Sequence, residues 1–157
     1  CGGSSYLAAV DGAGRLRHLF HGPALRPGRS YLRLAREEER GFSVPGMECV
    51  SWEFPGAGFG DYRVPAVELR NPDGSDLCDL RYVAHRVVPG KPPLAGLPAS
   101  RAESPEEAET LLVELADPAS GLRVELAYTV FDAYGVLVRS ARLENRGTGA
   151  VRLEAAM

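Results

Sequence analysis

Lysine is almost missing from this chain: Lys91 is the only one, and every other basic residue is arginine. The arginines are scattered, which reads as compositional bias and not as a set of bidentate anion-binding forks. Cysteine is scarce. Cys1, Cys49 and Cys78 are odd in number and form no CxxC pair, which excludes a disulfide framework and a zinc ribbon and leads us to expect reduced thiols in a cytoplasmic protein. No run approaches the roughly 18 apolar residues of a membrane span, so no membrane partner is expected. No basic-then-apolar opening resembles a signal peptide, although the chain starts at Cys1 and its true start is expected upstream. The net charge of -3 argues against a nucleic-acid partner.

Catalytic signatures are also lacking. There is no GxSxG elbow, no phosphate-cradling GxxxxGK and no HExxH. The histidines are His18, His21 and His85. A spacing of three on a strand places His18 and His21 on opposite faces, so no shared metal site is expected, and no cofactor is called for. His85 reads as a hydrogen-bonding core or interface residue. Glu37, Glu38 and Glu39 are adjacent acids in a loop, which is a solvated arrangement. The paired carboxylates of a glycosidase face each other across a sugar instead, at roughly 5 to 10 Å.

Glycine (18) and proline (12) are abundant, about a fifth of the chain against roughly an eighth on average. They punctuate strands. Leu122, Val124, Leu126, Tyr128 and Val130 alternate with Arg123, Glu125, Ala127 and Thr129, the period of a half-buried strand. Asp132 to Gly135 then turns the chain into a second strand, Val136 to Glu144. Thr110 to Leu115 is a strand before them, and Val151 to Leu153 begins one after. Near the start, Tyr6–Val10 and Leu16–Phe20 flank the hairpin turn 11–14. Ala66–Arg70 and Leu77–Val87 flank 71–75, read as another hairpin. Ser104 to Glu109 reads as a short capped helical turn. Long irregular segments cover 22–45, 54–65 and 89–105. Recurring strands without helical periods indicate an all-β sandwich.

Several pieces taken in order carry a further signal. They are Leu19-Phe20-His21-Gly22, Glu53-Phe54-Pro55, Gly58-Phe59-Gly60-Asp61-Tyr62-Arg63-Val64-Pro65-Ala66 and Asn71-Pro72-Asp73-Gly74-Ser75. Asp79-Leu80-Arg81-Tyr82-Val83-Ala84-His85-Arg86, the stretch around Lys91, Gly121 to Phe131 and Arg139 to Asn145 follow. Together they resemble the N-terminal β-domain of α-galactosidases of glycoside hydrolase family thirty-six. That resemblance implies a β-supersandwich of the galactose-mutarotase-like kind, spanning 1–157 and incomplete at its C-terminal end.

The resemblance further implies a parent enzyme that hydrolyses terminal α-galactosides of the melibiose or raffinose type with retention. Its catalytic aspartates would lie in a barrel outside this chain, so the chain alone is expected to be inactive. The implied partners are the barrel of the same chain, α-galactoside sugars reached through the parent, and a homo-oligomer. In tetrameric family members, a loop of this domain reaches a neighbour's active site. It corresponds here to 35–52, where Arg40, Phe42 and Trp52 are the residues suited to sugar or neighbour contact. Trp52 also fits ordinary core by its alternation with Val50 and Phe54. Asp61 and Arg63 sit two apart and read either as a clamp against the barrel or a neighbour, or as an internal salt bridge holding a glycine-rich loop.

Two rivals stand beside this reading. One is a free-standing carbohydrate-binding or assembly module. The other is a small mutarotase-like enzyme using His85. Strands that run out at Met157 lead us to expect unpaired edges or uncovered apolar faces and therefore self-association. Sedimentation velocity checks this, and a clean monomer with a polar surface counts against it.

Overall fold

The computed structural model of the chain describes residues 3–35, 50–59, 61 and 63–157. Among the described residues, eight strands run in the order β1 (Ser4–Val10), β2 (Leu16–Pro23), β3 (Val67–Arg70), β4 (Arg81–Pro89), β5 (Glu109–Ala116), β6 (Leu122–Phe131), β7 (Val136–Asn145) and β8 (Arg152–Ala156). Apart from single 3-10 turns at Leu32–Leu34 and Asp132–Tyr134, no helix forms among the described residues. The largest sheet is the antiparallel meander β4-β5-β6-β7, and β1-β2 and β3-β8 form two smaller antiparallel pairs.

The alternation read in β6 holds from Leu122 to Tyr128 and fails beyond it, where Thr129 is buried and Val130 only half-buried. Leu122, Val124, Leu126 and Tyr128 are buried, and opposite them on β5 stand Leu115 and Val113. Val67 and Leu69 of β3, Cys78 and Leu80 of the following loop, Leu16 and Phe54 complete the same core. The other face of the meander carries charge at one end. Arg86 pairs with Glu125 at 3.0 Å, and Arg123 pairs with Glu114. At the opposite end Thr110 and Thr129 are buried and share a hydroxyl hydrogen bond of 2.8 Å, while Thr110 also donates to the Gly90 carbonyl.

Three sequence expectations are corrected. The turn 71–75 forms, with Asn71 N–H donating to the Ser75 carbonyl, but the strands around it do not pair. β3 pairs with β8, and β4 pairs with β5. The cause is the segment between them, where Cys78 and Leu80 are drawn into the core and carry the chain across to the other sheet. At Ser104 the chain makes a turn, Glu107 N–H to the Ser104 carbonyl, and no helix. His18 and His21 do not lie on opposite faces. Leu7 pairs with Phe20 and Ala8 with His18, so Leu19 is the extra residue of a bulge. An inserted residue reverses the alternation beyond it, and both imidazoles come to flank Tyr6, with centroids at 5.0 and 5.4 Å.

A second bulge, at Val83 on β4, places Tyr82 and His85 on one face. There the Tyr82 hydroxyl and His85 Nδ1 are 2.7 Å apart. His85 is therefore hydrogen-bonded, as read, but exposed and not in the core. Apolar side chains stand exposed on β4 (Val83, Val87) and on β8 (Leu153).

Leu115 of β5 is 1% exposed, paired with Tyr82 of β4 and Val124 of β6. Leu115→Ala is expected to cost about 2–5 kcal/mol through lost burial and the cavity left behind. Urea unfolding at constant m-value measures this, and a loss below about 1 kcal/mol would contradict the core assignment.

Candidate functional site

The residues from Ser51 to Glu53 fasten themselves to the free edge of β2. His18 N–H donates to the Ser51 carbonyl, Glu53 N–H donates to the Leu16 carbonyl, and Arg17 and Trp52 form an antiparallel bridge. This short edge carries Glu53 into the interior, where its side chain is only 1% exposed. An acid this deep requires partners, and four converge on it. The Tyr6 hydroxyl (2.5 Å) and the Tyr128 hydroxyl (2.9 Å) both donate to Oε1. Arg139 reaches the same oxygen at 2.6 Å. His18 Nδ1 lies 3.1 Å from Oε2.

The Arg139 guanidinium also lies over the Tyr6 and Tyr128 rings, at 5.6 and 5.4 Å. One carboxylate thus ties β1, β2, β6 and β7 together. Both phenols are pushed well above their ordinary value, first by burial and then by the hydrogen bond and charge of Glu53. They are held as neutral donors.

Next to this hub lies a second carboxylate. Asp61 has a side chain 2% exposed. It accepts the backbone N–H groups of Trp52 and Arg63, both at 3.1 Å, and the Arg63 guanidinium at 2.5 Å. Burial alone would raise its pKa. The bonds from Arg63 and the two backbone groups outweigh that and hold the carboxyl below its usual range. Arg63 in turn donates to the Trp52 carbonyl at 2.8 Å. Asp61 and Arg63 are therefore brought together as the sequence suggested, and they close on the backbone of Trp52.

Trp52 itself is 8% exposed. Its indole N–H donates to the Phe59 carbonyl at 2.6 Å, and Arg15 and Arg17 lie against its ring. Arg15 is held over Phe59 and bonded to Asp79 at 2.7 Å. Arg40 and Phe42 lie outside the described residues, as do Cys1 and Cys49. Cys78 is a free, buried cysteine, its thiol pushed up to about 12 by burial and by the nearby charges of Asp117 and Asp79. Among the described residues, no group of three or more His, Cys, Asp or Glu side chains is placed to hold a metal ion.

Sequence reasoning missed the hub of Glu53, Tyr6, Tyr128, His18 and Arg139. The available signal was a lone acid between Trp52 and Phe54, where a surface strand would not need one. Its partners lie 35 to 86 residues away, beyond the reach of any local pattern.

The fold and these anchors define a β-sandwich module in which the carboxylates of Glu53 and Asp61 are buried and bonded to several internal donors. The model of the glycosyl hydrolase family 36 N-terminal domain matches residues 14–157, and the chain belongs to that family. It is 38% identical to alpha-galactosidase AgaA of Geobacillus stearothermophilus over 97% of this chain and 22% of that protein. It is also 38% identical to alpha-galactosidase Mel36A of Lactobacillus acidophilus, over 96% of this chain and 22% of that one. A crystal structure of the Geobacillus stearothermophilus AgaA enzyme in complex with raffinose superposes with a TM-score of 0.90 at 37% identity, covering 99% of this chain and 23% of that one. The chain thus spans about a fifth of the length of these relatives.

Glu53→Gln keeps the shape of the hub and removes its charge. It is expected to cost about 1–2 kcal/mol, because the bonds from Tyr6, Tyr128 and the half-exposed Arg139 then go to a neutral amide and not to a carboxylate. The two phenols have folded pKa values above their unfolded value near 10. Their contribution to stability is therefore complete below about pH 10 and falls away as pH rises past it. In Glu53→Gln, phenolate absorbance of the folded chain should appear at lower pH than in the parent. An unchanged titration would show that Glu53 does not set these values.

Proposed function

We propose that this chain is the N-terminal, non-catalytic part of an α-galactosidase that hydrolyses terminal α-galactosides of the melibiose or raffinose type with retention. The observation that carries the proposal is the superposition over 99% of the chain on an α-galactosidase crystallised with raffinose. The geometry supports a structural role. Glu53 and Asp61 are each bonded to several internal donors, the opposite of a carboxylate kept ready for proton transfer or attack on a sugar.

In this reading the module serves assembly and pocket shaping. Trp52 roots the C-terminal end of loop 35–52, Arg40 and Phe42 contact a sugar or a neighbouring subunit, and Arg63, steadied by Asp61, faces the barrel or a neighbour. The module works in the cytoplasm, with Cys78 kept as a free thiol.

The test uses a chromogenic α-galactoside. The 157-residue chain is expected to show no turnover and the product of the complete gene to show it, with the anomeric configuration retained on NMR. Hydrolysis by the 157 residues alone, or none by the longer product, would overturn the reading.

A further inference from the structure

We draw no further inference here: the strongest candidate, the exposed side of edge strand β4 where Val83 and Val87 stand with the Tyr82–His85 pair, lies uncovered among the described residues, and nothing in the structure shows what covers it.

Discussion

The docking of the β1-β2 pair on the meander turns on one buried carboxylate. Glu53 sits where three layers of chain meet: the β1-β2 pair, the short edge at 51–53, and the floor of the meander. A carboxylate in such a place costs several kcal/mol unless its oxygens are satisfied. Tyr6, His18, Tyr128 and Arg139 together offset that cost. An apolar residue at this position would tolerate many relative placements of the layers. A carboxylate with four directional partners tolerates one. The hub is therefore better understood as fixing how the β1-β2 pair docks on the meander than as adding stability in bulk.

The hub also explains why the bulge in β2 matters, and β4 repeats the device away from the hub. Without Leu19 as an extra residue, His18 would face away from Tyr6 and Glu53 would lose a partner. Without Val83, Tyr82 and His85 would point to opposite faces of β4. In both strands a one-residue irregularity turns a spacing of three into a same-face pair. Strict alternation therefore misassigned the histidines while succeeding along β6 as far as Tyr128, where no bulge interrupts the ladder.

Legibility followed distance along the chain. The β6-β7 hairpin was readable because its signal, a period of two broken by Asp132 to Gly135, is local. The all-β class was readable for the same reason. The partner of β3 was not, because a strand of four residues pairs with whichever edge the topology brings to it, and here that is β8 at the far end of the chain. The Asp61–Arg63 pair was legible as a pair, since two residues apart on extended backbone share a side. Its attachment to Trp52 was not. The Glu53 hub spans five segments, and only the odd placement of an acid between two buried aromatics hinted at it. Most of the site that matters is thus written in long-range complementarity, where resemblance to a family carries information that periodicity does not.

The two acid–arginine pairs share an asymmetry that follows from desolvation. A carboxylate accepts bonds through two compact oxygens, so two to four donors can replace its water entirely. A guanidinium spreads five N–H groups over a plane and sits on a long apolar stem. It can satisfy a buried acid with one edge and leave the other hydrated. Burying the acid and half-exposing the base is accordingly the least costly way to place an ion pair at the margin of a core. The outcome is a surface whose charge differs in sign from the acids that organise it. In this chain the same geometry occurs twice around one groove, with Arg63 and Arg139. The interactions that close the interior thereby also set the character of the surface above it.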